Sequence, residues 1–362
     1  MKPQIPADLP VDIEYKDLIA QLARSNHELG SLSGSLLHPG VHPQLLITPL
    51  LTKEAVLSSS IEGTVASVED VFRYEVDQAA LDNEELRRDA HEVINYRRAL
   101  EASLDELDRR AIGENLLKRA HAILLDSVRG QRKSRGQFRS SQVSIGKPGT
   151  TIEEATFVPA PAGEIPRLMK NWEAYINSRA EKDPLVQIAV AHYQFEAIHP
   201  FLDGNGRIGR LVIPLFLCDR NLLPSPLLYV SEFFENNRSD YIRALRGVDQ
   251  DGAWTPWISF YLRAVEVQAH KTQKSILEIM RLYGELSETV NSFGSAYARP
   301  MLDAIFVRPI VNYRYLHSEL GSSPQTVYNL IDKFEGSGIL RQLDDKKRNR
   351  MYVFAQLMSL LR

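Results

Sequence analysis

Cysteine is almost absent: Cys218 is the only one in 362 residues, so no internal disulfide framework can hold the fold. An excess of one charge is missing too. The chain carries 43 basic and 46 acidic residues, a net charge of −3, which gives no global pull towards nucleic acid or an acidic membrane. No apolar run approaches the ~20 residues of a membrane-spanning helix. Met1 to Pro10 is proline-rich and lacks the apolar segment of a secretory signal. These absences point to a cytoplasmic protein with no membrane partner. What remains is an ordinary globular composition, 44% hydrophobic and 25% charged. The length suits two or three domains and allows a sizeable core.

One stretch organises the rest, from His199 to Arg210: His-Pro-Phe-Leu-Asp-Gly-Asn-Gly-Arg-Ile-Gly-Arg. Pro184 to Ile198 runs into it and Leu211 to Cys218 runs out. Both read as buried helices because nearly every face is apolar. Asp183 caps the first, with Pro184 in its first turn. Pro214 lacks an N–H and is expected to kink the second. Between them, Gly204-Asn205-Gly206 favours positive φ and a nest of backbone N–H groups. A helix starting at about Gly206 or Arg207 adds positive partial charge at the same point. Arg207 and Arg210 share a face of that helix, and His199 and Asp203 flank the loop. A base, a hard carboxylate, oriented amides and two guanidiniums suit a metal-bound polyphosphate and a nucleophile that must lose its proton. Gly204-x-Gly206-x-x-Gly209 also satisfies the dinucleotide fingerprint, but a helix precedes it where a strand is needed. An ordinary helix-loop-helix would leave the histidine, the carboxylate and both arginines unexplained together.

At these residues the chain resembles the Fic family, whose signature is His-x-Phe-x-Asp/Glu-Gly-Asn-Gly-Arg-x-x-Arg. Every defined position matches from His199 to Arg210. The resemblance implies transfer of AMP from ATP to a Ser, Thr or Tyr hydroxyl of a target protein, the chain itself included among candidate targets. It implies His199 as general base and Asp203 as the Mg²⁺ ligand. It assigns ATP contacts to the segment Gly204, Asn205, Gly206, Arg207, Ile208, Gly209 and Arg210, with Arg207 on the phosphate chain and Arg210 on the γ-phosphate. Phe201 reads as an anchor into the core. The family's phosphorylating branch carries Lys at the second glycine of the nest, whereas this chain has Gly206.

A second stretch has a family counterpart. Thr48 reads as an N-cap and Pro49 as the first residue of a helix over about 48–62, closed by Gly63. Ser58 and Glu62 share a face, and Glu62 stands at the negative end of the dipole. Ser58-Ser59-Ser60-Ile61-Glu62-Gly63 resembles the Fic inhibitory motif, which implies that Glu62, oriented by Ser58, competes with the γ-phosphate for Arg210.

Other helices are expected over about 16–29, 67–75, 84–107, 114–127, 165–179, 229–248 and 255–282. His121 reads as structural and the basic run Arg129 to Arg139 as a solvated loop. Gln142 to Ala160 reads as a short hairpin; in the family this is the flap that clamps a target peptide by strand addition. Ser231 to Arg238 resembles the family's adenosine-side segment, with Asn236, and behind it Tyr241, as nucleotide contacts. The tail from about Leu286 reads as a helix-turn-helix and a hairpin around Asp344 to Arg350, like a winged helix. Its ten basic and seven acidic residues support DNA binding only weakly; docking of a protein or a homodimer contact is equally compatible. The expected architecture is mainly α: an N-terminal helical region (1–110), a Fic-type helical core with a β-hairpin flap (111–285) and a winged-helix domain (286–362). The alternative function is a nucleotide-sensing, DNA-binding regulator whose Fic fold is not catalytic.

Overall fold

The structure, a computed structural model, describes residues 2–37, 43–128, 133–146, 151, 153–179, 181–344 and 348–361. Helices dominate. In chain order they begin with α1 (Ile19–Leu36), α2 (Pro43–Ser60), α3 (Val68–Val76), α4 (Glu84–Leu107) and α5 (Glu114–Leu124). After the hairpin region come α6 (Ile165–Asn177), α7 (Pro184–Ile198), α8 (Asn205–Asp219), α9 (Ser231–Asn236), α10 (Arg238–Asp251) and α11 (Trp254–Asn291). The last stretch holds α12 (Ala298–Val307), β1 (Ile310–Asn312), α13 (Tyr313–Leu320), α14 (Pro324–Gly336), β2 (Arg341–Gln342), β3 (Met351–Val353) and α15 (Ala355–Leu360). No described helix is long and apolar enough to cross a membrane.

Several boundaries differ from the sequence reading. The second helix starts at Pro43, so Thr48 is not its N-cap and Pro49 lies inside it. Leu45 and Leu46 are buried, and burying them outweighs the hydrogen bond that Pro49 cannot make. The helix foreseen over 229–248 is split into α9 and α10 at Asn237. The Asn237 side-chain amide donates to Phe233 O at 2.9 Å, an alternative to helix continuation that Asn offers. The last helix of the core runs on to Asn291. Through Pro214, α8 continues as one helix.

Contacts divide the chain into two compact units, residues 1–33 with 95–270 and residues 34–94 with 271–362. The first is built round α7, which is buried along its length except at Pro184 and Glu196. Its neighbours α6 and α8 flank it. The indoles of Trp172 and Trp257 donate to its carbonyls at Ala191 and Ala189, at 2.8 and 2.9 Å. Asp183 caps it by accepting from Leu185 N at 2.7 Å. Buried polar tips of this kind need such partners.

In the second unit α2 packs on α12 and α3, and α3 lies beside β1. The three strands form an antiparallel sheet in the order β1-β3-β2, with Val353 opposite both Ile310 and Arg341. Strand β1, three residues long, is too short to show a period in the sequence. Phe306 of α12 meets Tyr283 and Phe354 edge-on, with centroids 5.1 Å away in each case.

The apolar sides of α2 and α3 are thus covered by residues that follow Tyr283. A chain shortened to end there should leave segment 34–94 open to limited proteolysis while 95–270 stays resistant. Protection of 34–94 equal to that of the full chain would contradict this packing.

Candidate active site

The loop after α7 is held by its own backbone chemistry. His199 closes α7 in the left-handed region, φ 51°, with its N–H on Phe195 O at 2.9 Å. A non-glycine residue there carries strain of about 1 kcal/mol or more. Gly204 is the second left-handed residue, φ 75°, and a side chain on it would also press on Leu124. Gly206, by contrast, is helical. The positive-φ positions are therefore His199 and Gly204, and the helix begins at Asn205, ahead of the start read from the sequence. Its ladder opens with Ile208 N–H on Gly204 O at 3.0 Å. That leaves the amides of Asn205, Gly206 and Arg207 outside the ladder at the positive end of α8, the geometry of an anion site.

Side chains fasten the loop from inside. Asn205 accepts from Phe201 N at 2.8 Å and donates to Phe201 O at 2.9 Å, so only its backbone is available to a ligand. Phe201 is fully buried and stacks on His121 at 3.9 Å and 9°. His121 is structural, as expected. Its Nδ1 accepts from Gly136 N at 2.9 Å, so its Nε2 carries the proton and donates to Asp203 O at 3.0 Å. Burial pushes this imidazole down to about 4, which keeps it neutral as that bonding requires.

Residues 133–135 and 137 are exposed, as a solvated loop predicts, but Arg139 departs from that reading. It is buried. Its Nε donates to His199 O at 2.8 Å, and one terminal nitrogen to Ile198 O and Ala160 O. The other reaches Ser141 O at 3.0 Å. The guanidinium caps the C-terminal carbonyls of α7 and ties them to both strands of the hairpin region. That region pairs Ile145 with Phe157 in one antiparallel bridge, and Arg246 of α10 donates to Thr156 O at 3.2 Å. Residues 147–150 and 152, the rest of the expected turn, lie outside the described residues.

Asp203 sits among cations. Its Oδ2 is 2.8 Å from Lys133 Nζ and its Oδ1 3.6 Å from Arg207 Nη2. Burial alone would raise this carboxyl, but Lys133, then Arg207 and the Gly204 amide, hold it below the usual carboxylate range. It is ionised and 29% exposed. Among the described residues no group of three His, Cys, Asp or Glu side chains could hold a metal ion. The donor set fits a hard divalent ion shared with a phosphate chain, for which one or two carboxylates suffice. It does not fit an all-protein metal cage.

His199 is half-buried, and its Nδ1 lies 3.3 Å from Glu196 O. A carbonyl only accepts, so Nδ1 carries a proton in this bond. Glu196 Oε2 is 4.0 Å from Nδ1. Gly209 lies under the same carboxylate: a Cβ there would stand 2.5 Å from Glu196 Oε1. Its role is close packing, and Ile208 is a core residue. Arg207 and Arg210 are both buried. The charge of Arg210 acts on His192, which is held down to about 3 by burial first and that charge second. Neutral His192 donates from Nδ1 to Gly209 O at 3.3 Å and accepts from Tyr241 Oη at 3.0 Å. Tyr241 stacks on Phe234 at 4.5 Å, inside an aromatic cluster, while Asn236 is exposed at the end of α9. Ser58 and Glu62, at the end of α2, belong to the second unit. Gly63 there takes φ 97°, as its place after the helix suggests.

Sequence reasoning missed Arg139, Lys133, Glu196 and His192 as parts of this arrangement. Arg139 carried one signal, an arginine beside Phe138 at the end of a basic run; the others carried none apart from their neighbours in space.

Residues 111–217 match the model of the Fic/DOC family, and residues 19–105 that of the Fic/DOC family N-terminal region. The chain is 27% identical over 205 residues to a probable protein adenylyltransferase of Aquifex aeolicus, covering 56% of each. It is 30% identical over 163 residues to the protein adenylyltransferase Fic of Drosophila grimshawi, covering 44% of this chain and 27% of the fly protein. The chain thus spans little over half of the first relative and about a quarter of the second. The crystal structure of a Fic family protein from Desulfovibrio desulfuricans G20 aligns with a TM-score of 0.58 at 22% identity, over 96% of this chain and 98% of that one. This likeness shows the fold.

The depressed imidazole of His121 makes stability depend on pH. Between its unfolded value near 6.5 and its folded value of about 4, the unfolded chain binds more protons, so stability falls as pH falls through that window. Urea denaturation should show about 2 kcal/mol lost at this site between about pH 7 and about pH 5. The variant His121→Gln should lack that part of the slope. An unchanged slope in the variant would mean that His121 does not bury a neutral ring.

Proposed function

Since the chain belongs to the Fic/DOC family, we propose that it is a protein adenylyltransferase that moves AMP from ATP to a Ser, Thr or Tyr hydroxyl of a target protein. The observation that supports this most is the loop itself. Every position of the His199 to Arg210 signature is present, and the loop joins His199 to the amide end of α8. The relatives named as adenylyltransferases point the same way.

In this reading His199 Nε2 takes the proton of the target hydroxyl. The oxygen forms a bond to the α-phosphorus, the bond from that phosphorus to the bridging oxygen breaks, and pyrophosphate leaves. The amides of Asn205 and Gly206 and the charge of Arg207 hold the phosphate chain. Arg210 serves the γ-phosphate. Asp203 would hold Mg²⁺, which when bound spreads the negative charge of the phosphates. Glu196 keeps the His199 proton on Nδ1. The hairpin region offers a strand edge to the target peptide. Asn236 is the candidate adenosine contact, and Tyr241 sets the position of its segment through Phe234 and His192. In the second unit, the order of β1, α13, α14, β2 and β3 supports reading 286–362 as a winged helix.

The variant His199→Ala should bind ATP as the wild type does and lose label transfer from α-labelled ATP by at least ~10²-fold. Undiminished transfer would remove His199 from the chemistry.

We read Glu62 as a brake on the same site, on the strength of the Ser58 to Gly63 motif. One arginine cannot pair fully with a glutamate and a γ-phosphate. Glu62→Gly should therefore raise transfer, and Glu62→Gly with Arg210→Ala should be inactive. A folded Glu62→Gly protein with unchanged or lower transfer would make Glu62 an ordinary residue of the helix end.

A further inference from the structure

Asp203 carries an ion pair that binding of a divalent ion has to undo. Its two cationic neighbours are not equivalent. Arg207 is 4% exposed and anchored in the first turn of α8, whereas Lys133 is 55% exposed and lies on the loop leading to Arg139. A guanidinium packed to that degree has no room to swing aside and leaves its partners only at a large cost. An ammonium on a four-carbon stem swings into water freely. At 2.8 Å from Oδ2 that ammonium repels an approaching divalent ion at short range.

We propose that Lys133 is a placeholder for the metal: it neutralises Asp203 while the nucleotide site is empty, yields Oδ2 to a divalent ion as a nucleoside triphosphate enters, and then turns its charge to the phosphates. The proposal rests on the adenylyltransferase reading above. Asp203 immediately precedes Gly204, the residue that opens the anion-binding end of α8, so a lysine displaced from Oδ2 remains beside the phosphates. Before binding, Asp203, Lys133 and Arg207 sum to one positive charge. A triphosphate carries more negative charge than one divalent ion cancels, so the lysine is stabilised by the metal-nucleotide pair and destabilised by the metal alone. Lys133 thereby couples the two ligands, making each bind better in the presence of the other.

The test uses the full chain with Mn²⁺ as probe. Mn²⁺ binding is followed by electron paramagnetic resonance without nucleotide, and binding of a non-hydrolysable ATP analogue is followed by calorimetry with Mg²⁺. Lys133→Met should bind Mn²⁺ about fivefold more tightly, the upper worth of a half-exposed ion pair. It should bind the analogue about fivefold more weakly. Lys133→Arg, which keeps the charge, should bind Mn²⁺ no more tightly than the wild type and hold the analogue near the wild-type value. Equal or weaker Mn²⁺ binding by Lys133→Met, undetectable Mn²⁺ binding by both proteins, or shifts of both ligands in one direction would overturn the proposal. So would Mn²⁺ binding that survives Asp203→Asn, because the ion would then lie elsewhere. Transfer from α-labelled ATP by the wild type tests the adenylyltransferase reading separately, since the Mn²⁺ measurement involves no nucleotide.

Discussion

A buried guanidinium closes the end of the central helix. Helix α7 is surrounded by protein along its length, so the carbonyls left over at its C-terminus have no water to turn to. Arg139 supplies the donors that Ile198 and His199 lack, and the same side chain reaches Ser141 and Ala160. Burial lowers this guanidinium only to about 10, so it keeps its charge at neutral pH. The left-handed turn at His199 depends on that support. Without a partner for its carbonyl, the strained conformation that turns the loop would have little to hold it.

Around this turn the histidines fall into two kinds. His121 and His192 are buried, neutral and committed, each with one nitrogen donating and one accepting. They tie the loop and α8 to α5 and α10. His199 is half-buried, and its Nδ1 donates to Glu196 O. The difference is one of surroundings, not of residue type. A ring buried with both nitrogens hydrogen-bonded is a strut. The ionised Asp203 stands beside Lys133 and Arg207, so polar groups stand ready in a region otherwise filled by apolar helices.

Much of the helical framework was legible from pattern. The bounds of the helix over 84–107 were read correctly, and α7 showed itself by apolar residues on every face. Pro49 misled because its local preference is weak against the burial of Leu45 and Leu46. Asn237 misled because a side chain competing for a backbone carbonyl leaves no mark on periodicity. Of the candidate site, the loop residues were legible because they are contiguous. The paired strands of residues 145 and 157 were legible as a hairpin, but the arginine that seats them was not.

The sequence by itself determined the order of chemical groups along the loop, and with it the anion-binding turn, since φ preferences and helix-start geometry are local properties of successive residues. Tertiary structure decided which distant side chains complete it. Lys133 meets Asp203, Arg139 meets His199, and Tyr241 meets His192 across separations of 70, 60 and 49 positions. A buried polar group must find a partner wherever the fold brings one within hydrogen-bond distance, and that distance is set by packed helices, not by spacing along the chain.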